Sequence, residues 1–219
     1  MPAHVRTMPR NAALLPGLLV LIVVSPSISG RGERVVIELI FNAILLAGVY
    51  AVGLRRHGWA FAALTVVTLG ARWGEILFAS RFDVLALGLT AVWLVYAASV
   101  IIASLFQRRE VETDAILGAI VVYLLVGLAF MMVFQVLELT NPGSFSGLPY
   151  GVQERPKELA SSMLYFSLVC LTTIGYGDIV PVSDLARPLS VLEAVFGQLY
   201  LAVMIARLVG LHIARSRAN

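Results

Sequence analysis

Long apolar runs alternate with short polar or charged connections along the chain, and their lengths predict helices that cross a membrane. A helix needs about 20 mostly apolar residues to cross a hydrocarbon core about 30 Å thick. When the sequence is divided at its charged and Pro- or Gly-rich breaks, six runs approach or reach that length. These predicted spans are Asn11–Pro26, Val35–Leu54, Trp59–Ala79, Val84–Phe106, Thr113–Leu139 and Arg187–His212.

A seventh apolar run, Leu159–Leu171, has about thirteen residues and is too short to cross. A polar loop precedes it, and a run of Thr, Gly, Tyr and Asp follows it. Non-helical backbone at membrane depth is tolerated where it is buried in protein or lines a water-filled cavity. We therefore predict a re-entrant helix that enters and leaves the membrane on one side.

The first run, Asn11–Pro26, is the weakest of the predicted spans because its apolar core is short and contains Pro16. A signal peptide is the alternative, since Arg6 and Arg10 precede the core and small residues precede Gly30. We expect a retained helix, and both interpretations place Gly30 on the outer side of the membrane.

The distribution of basic residues predicts the orientation, because Lys and Arg accumulate in short cytoplasmic connections. With the N-terminus inside, nine basic residues lie on the inner side and six on the outer side. The inner set is Arg6, Arg10, Arg55, Arg56, Arg108, Arg109, Arg207, Arg215 and Arg217, and the outer set is Arg31, Arg34, Arg81, Arg155, Lys157 and Arg187. We therefore expect a multi-pass protein of the plasma or inner membrane, with both termini in the cytoplasm and the re-entrant loop facing outward.

The composition agrees with a lipid environment and excludes several classes of function. Apolar residues make up 59% of the chain and charged residues 13%, compared with about 45–50% and about 25% in ordinary soluble domains. The single cysteine, Cys170, cannot form an internal disulfide, and no basic run exceeds two residues, so a disulfide scaffold and a nucleic-acid-binding protein are both excluded. Without a Ser/His/Asp set, a paired-carboxylate site or a phosphate loop, we predict no enzyme activity and no cofactor.

The run Thr172–Asp178, which follows the short helix, carries the candidate chemistry. Gly175 and Gly177 can adopt positive φ angles, a conformation that is costly for residues with side chains. This conformation lets successive carbonyls point to the same side of the chain. Four such segments around an axis would offer cages of oxygen atoms that replace the hydration shell of a potassium ion, and the Thr173 hydroxyl would complete the innermost cage.

Thr173–Gly177 resembles the selectivity-filter signature of potassium channels, with Ile174 in place of the usual Val. The resemblance covers about residues 113–219, the pore domain of the six-helix, voltage-gated-like superfamily with one pore loop, of the prokaryotic type. It implies ion-binding carbonyls at four positions, Thr173, Ile174, Gly175 and Tyr176, with Gly177 shaping the outer mouth. Thr172 and Asp178 would support this filter, and the Tyr176 ring would pack away from the pore.

One departure from the family pattern concerns the partner of Asp178. Some bacterial channels carry a Glu on the pore helix that pairs with this Asp, and the matching position here is Val169. We expect the phenol of Tyr165 or a backbone donor to hold Asp178 instead.

The predicted last span, Arg187–His212, follows the filter and would line the inner cavity. Gly197 lies in mid-helix, where a hinge and close helix packing are equally good explanations. Apolar residues at helical spacing, Leu201, Ile205 and Val209, predict a constriction near the cytoplasm.

The sequence gives no indication of what opens the channel. The fourth span has no charged residue before Arg108, so we predict that it is not a voltage sensor. Arg72 and Glu75 are spaced to form a structural pair within the membrane, and a role in gating or ligand binding is the alternative. Seven residues follow His212, and we expect no cytoplasmic ligand-sensing domain.

The sequence as a whole predicts an all-α membrane protein with six transmembrane helices, a re-entrant pore helix and a filter loop. Residues 1–110 would form a peripheral four-helix domain, and residues 111–219 the pore domain. Because one loop cannot surround an ion path, we expect a homotetramer in the lipid bilayer that conducts K⁺ passively. The alternatives are a non-selective cation channel and a non-conducting receptor or regulatory subunit. Membrane tension, pH, lipid and an accessory subunit remain open as stimuli, although nothing in the sequence indicates such a subunit.

Overall fold

A computed structural model describes residues 14–24, 33–52, 58–78, 83–107 and 113–218, and most of them are helical. In chain order the elements are α1 (Leu14–Val24), α2 (Glu33–Val52), α3 (Gly58–Phe78), α4 (Asp83–Gln107), α5 (Thr113–Thr140), β1 (Phe145–Ser146), a 3₁₀ turn (Val152–Glu154), α6 (Pro156–Leu171), β2 (Val180–Pro181) and α7 (Ala186–Ala218). The helices follow the predicted apolar runs closely, except that α7 continues beyond His212.

Three of the described helices are long and apolar enough to cross a membrane, and they lie within α4, α5 and α7. The apolar parts of α1 and α2 are shorter, at Leu14–Val23 and Leu39–Val49. The total of six spans therefore stays a prediction. The predicted domain boundary between residues 110 and 111 and the alternative cleavage site at residues 27–30 lie outside the described residues.

Helices α2, α3 and α4 meet at a buried indole. Trp93 of α4 is fully buried, and its Nε1 donates a hydrogen bond to the Thr65 hydroxyl of α3 at 2.8 Å. Gly48 of α2 lies so close that a Cβ there would be 2.4 Å from the Trp93 ring. The hydroxyls of Thr65 and Thr90 also donate to the carbonyls four residues earlier, which satisfies these polar groups within apolar helices.

Arg72 of α3 is buried among these helices. Its guanidinium lies 4.2 Å from the centre of the Phe41 ring, and its Nη1 is 3.5 Å from the Thr90 hydroxyl. The side chains of Glu75 and Glu38 lie outside the described residues. The predicted pair of Arg72 and Glu75 therefore stays a prediction, whereas the contacts of Arg72 with α2 and α4 are established.

The first four helices join the rest of the chain through α1 and α4, both of which contact α5. Helix α4 packs against α5 in the most extensive helix pair of the described structure. At the far end of α7, Arg207 donates to the last carbonyls of α4, those of Leu105 at 3.0 Å and Phe106 at 2.8 Å, and its guanidinium lies 4.8 Å from the Phe106 ring centre. A cation at the carbonyl end of a helix satisfies groups that have no partner within the helix.

The loop between α5 and α6 folds back on the segment after α6. Strands β1 and β2 pair antiparallel, with Phe145 opposite Pro181 and Ser146 opposite Val180. Glu138, 1% exposed, accepts hydrogen bonds from the Gly143 and Phe145 backbone N–H groups and from Gln153 Nε2, at 2.7–3.1 Å. This buried carboxylate organises the loop from within, because three N–H donors from separate parts of the loop meet on its two oxygens.

Candidate functional site

Helix α6 ends at the motif and determines where the motif lies. It begins at Pro156, whose missing N–H is not needed in the first turn, and Arg155 pairs with Glu158 at 2.5 Å. Phe166 of α6 packs edge-to-face with Phe134 of α5 and Phe145 of β1. This aromatic cluster packs the C-terminal half of α6 against α5 and the loop.

The backbone after α6 has the alternating conformation that a ladder of carbonyls requires. The φ angles of Thr173, Gly175 and Gly177 are 59°, 61° and 79°, whereas Ile174 and Tyr176 between them have no positive φ. The N–H groups of Thr173 and Ile174 donate back to the carbonyls of Cys170 and Val169 at 2.9 and 3.0 Å. Among the described residues, Thr173 alone adopts a positive φ without being glycine, and the sequence analysis missed it because it considered only glycines.

Every residue from Thr172 to Asp178 is exposed in the single chain. Ile174 is 54% exposed and Tyr176 68%.

The outer end of the motif rests on Tyr165 of α6. The rings of Tyr165 and Tyr176 are parallel within 2°, with centroids 6.3 Å apart. The Tyr165 phenol donates a hydrogen bond to Asp178, which holds the pKa of that carboxyl below its usual range, and the backbone N–H groups of Asp178 and Ile179 act in the same direction. The same bond raises the pKa of Tyr165 to about 12. The contact expected between Tyr165 and Asp178 is thus present, and its role in filter support stays a prediction.

The inner end of α6 is fixed by α5 and α7. The Leu171 carbonyl accepts a hydrogen bond from the Tyr123 hydroxyl at 2.9 Å. Gly197 of α7 faces the same carbonyl so closely that a Cβ there would be 2.2 Å from its oxygen. Of the two explanations for Gly197, packing therefore has direct geometric support, and the hinge stays a prediction.

The face of α7 that was predicted to line a cavity is open in the single chain. Leu201, Ile205 and Val209 are 40%, 61% and 52% exposed. Above them Gln198 Nε2 donates to the Thr173 hydroxyl at 2.9 Å. The Thr172 hydroxyl instead donates to the Leu168 carbonyl at 2.6 Å and closes the end of α6. Val169 is buried and contributes its carbonyl.

Two buried glutamates near the motif were not assigned a role by the sequence analysis. Glu138 organises the outer loop, and Glu193 of α7 contacts Ser167 of α6. The partner of Glu193 lies 26 positions earlier in the chain, and no local pattern reveals such a contact. Glu138 lies at the end of an apolar run, and its partners come from an irregular loop.

Comparisons with known proteins place a related domain over this site. A family model described as "Ion channel" matches residues 143–212. Over 87 residues, 40% of this chain and 64% of the relative, the sequence is 30% identical to Protein LctB of Bacillus caldotenax. Over 120 residues, 55% of this chain and 89% of the relative, it is 28% identical to Protein LctB of Geobacillus stearothermophilus.

A third relative is the inward rectifier potassium channel Kirbac3.1 of Paramagnetospirillum magnetotacticum, 35% identical over 79 residues, 36% of this chain and 22% of the relative. The chain thus spans less than two thirds of the length of the first and third relatives. No solved structure matches at a significant level. These similarities support an ion channel domain in a multi-pass membrane protein.

Proposed function

We propose that the protein is a potassium-selective channel in which four copies surround one ion path. The observation that carries the proposal is the alternation of positive φ angles at Thr173, Gly175 and Gly177, at the end of a short helix. This backbone aims successive carbonyls to one side, where they replace the hydration shell of an ion. The similarity to a protein named as a potassium channel supports the choice of ion.

The assembly of four copies rests on the incompleteness of the single chain. Residues 172–178 are exposed, and so are the apolar residues of the α7 face. One loop offers oxygens from one side, whereas an ion in a filter is surrounded. The filter would consist of Thr173–Gly177, with K⁺ at the carbonyls of Thr173, Ile174, Gly175 and Tyr176, and with a constriction at Leu201, Ile205 and Val209.

The test is a recording from the purified full chain in planar bilayers with K⁺ on one side and Na⁺ on the other. A reversal potential near the K⁺ equilibrium value supports the proposal. A reversal near zero indicates a non-selective cation channel, and the absence of current from correctly assembled protein favours a non-conducting subunit.

A matched pair of glycine variants makes the test specific to the filter. Gly175→Ala places a side chain at φ 61°, whereas Gly210→Ala has no positive φ and meets nothing within 4 Å. Strain of this kind costs about 1–3 kcal/mol per residue. We expect Gly175→Ala to abolish K⁺ current and Gly210→Ala to retain it. Equal currents from the two variants would contradict a filter at this position.

A further inference from the structure

Three helices meet at one hydroxyl group behind the filter. Glu193 of α7 is completely buried, and its Oε1 lies 2.5 Å from the Ser167 hydroxyl of α6. The same hydroxyl lies 2.7 Å from the carbonyl oxygen of Gly127 in α5. Because Glu193 has no exposed surface in the single chain, a second copy cannot reach it.

The two contacts of the Ser167 hydroxyl require more hydrogens than serine supplies, and this indicates that Glu193 is protonated. A serine hydroxyl carries one hydrogen, and a backbone carbonyl carries none. Two short oxygen–oxygen contacts need two hydrogens, because one hydrogen cannot point along both. When Ser167 donates to Gly127, the second hydrogen must come from Glu193, which then donates from Oε1 to the Ser167 oxygen.

The surroundings of the second oxygen agree with a neutral side chain. Glu193 Oε2 has no hydrogen-bond partner among the described residues. The titratable groups that face Glu193 are Tyr123 on α5 and Cys170 on α6, and neither brings a positive charge. Burying an ionised carboxylate without a cation at membrane depth is far more costly than burying a neutral carbonyl oxygen.

We propose that Glu193 is a protonated positioning residue that holds α6 against α5 and α7, and that its ionisation at alkaline pH releases α6 and stops conduction. The proposal rests on the channel function proposed above. It concerns neither the ion-binding carbonyls nor the contact of Tyr165 with Asp178, but the rear support of the helix from which the filter emerges.

Glu138 provides an internal contrast, since it is buried to the same degree. All three of its partners are N–H donors, so its two oxygens act only as acceptors. Glutamine has one acceptor oxygen and one donor group. Glutamine can therefore replace Glu193, because its amide can donate to Ser167. At position 138 the same amide would place its hydrogens against the N–H donors that surround Glu138.

The first experiment measures K⁺ flux from liposomes with the full chain, from about pH 7 to about pH 10. We expect the flux of the wild type to fall about tenfold per pH unit once Glu193 ionises. Glu193→Gln should keep its flux within about twofold over the whole range, because its donor is permanent. Cys170→Ser should retain the alkaline loss. A flat wild-type profile, or an alkaline loss in Glu193→Gln equal to that of the wild type, would overturn the proposal.

The second experiment does not depend on conduction. The infrared difference spectrum of wild type minus Glu193→Gln should contain the carbonyl stretch of a protonated carboxyl, and this band should disappear at alkaline pH. The corresponding difference for Glu138→Gln should contain carboxylate bands instead. Absence of the protonated band at neutral pH would overturn the proposal even in an active channel. If the protein proves silent to all cations, this measurement still decides the state of Glu193.

Thermal unfolding in detergent separates the two glutamates further. Glu193→Leu removes the hydrogen bond and should lower the unfolding midpoint, whereas Glu193→Gln should restore it close to that of the wild type. Glu138→Gln should lower the unfolding midpoint, because its amide group brings hydrogens against the three N–H donors around position 138. If Gln and Leu at position 193 were equally damaging, the neutral hydrogen bond would have no role.

Discussion

Helices α5 and α7 both contain an apolar run long enough to cross a membrane, yet they are buried to different degrees in the single chain. In α5, 61% of the most apolar window is buried, compared with 28% in α7. Helix α5 is covered by α4 on one side and by α6 on another. Helix α7 contacts α6 over a short length and leaves large side chains such as Val191, Leu192 and Leu199 exposed.

This difference in burial indicates which side of the single chain is left uncovered. Exposed apolar side chains alone would suit lipid, but α7 lies beside the exposed backbone of residues 172–178. Lipid offers no hydrogen bonds to such backbone, so protein or water must cover it. In the proposed channel, the few places where α7 touches its own chain would determine how the filter is held, and each can be tested.

The contact at Gly197 has the largest expected effect. A Cβ there would lie 2.2 Å from the Leu171 carbonyl oxygen, whereas a Cβ at Gly210 meets nothing within 4 Å. Alanine normally stabilises a helix by about 1 kcal/mol relative to glycine. We expect Gly210→Ala to raise the unfolding midpoint in detergent and Gly197→Ala to lower it, with overpacking of about 1–3 kcal/mol. If Gly197 were a hinge without this close contact, Gly197→Ala would instead raise the midpoint as Gly210→Ala does and would alter the open probability.

The sequence predicts the features of this region that depend on neighbouring residues, but not those that depend on contacts between separate helices. The short length of α6 and the glycines after it are local features, so the helix and the turn could be predicted. The positive φ of Thr173 could not, because that residue has a side chain and is held by N–H bonds to α6 and by Gln198. The bond between Ser167 and Glu193 joins separate helices, and single-sequence patterns do not show which helix faces meet.

The contact at Gln198 should have the next largest effect. Its amide donates to the Thr173 hydroxyl, and a neutral hydrogen bond contributes about 1 kcal/mol. We expect Gln198→Leu to lower the K⁺ over Na⁺ permeability ratio by about fivefold, because the Thr173 hydroxyl would lose its fixed orientation. Bi-ionic reversal potentials measure this ratio. Leu201→Met, one turn further along α7, is the control, and an equal change in both variants would count against a specific role of Gln198.

The contact at Arg207 lies at the opposite end of α7 and should have a smaller effect. Its guanidinium donates to the carbonyls of Leu105 and Phe106, at a partly exposed site where such bonds contribute about 1 kcal/mol. Arg207→Gln should accelerate hydrogen exchange at the C-terminal end of α4 by about fivefold. Arg207→Lys should recover part of the protection, since lysine keeps the charge but not the planar geometry. Unchanged exchange in Arg207→Gln would show that α4 and α7 are not coupled here.

The smallest effect is expected at the outer end of the motif, in the pH dependence of Asp178. Its pKa is lowered chiefly by the bond from Tyr165, so this contact stabilises the fold above the ordinary pKa of about 3.9 and is lost as the pH falls through the lowered value. In Tyr165→Phe the pKa of Asp178 should rise toward the ordinary value, and the acid loss of flux should begin at a higher pH. Carboxyl NMR shifts of Asp178 would follow the same change. If the flux of both proteins were lost at the same acid pH, the backbone N–H groups alone would hold Asp178. The pKa of Tyr165 is raised to about 12, so its phenol remains a donor over the alkaline range in which Glu193 is tested, and the contacts of Tyr165 and Ser167 with their carboxyl partners can be titrated separately.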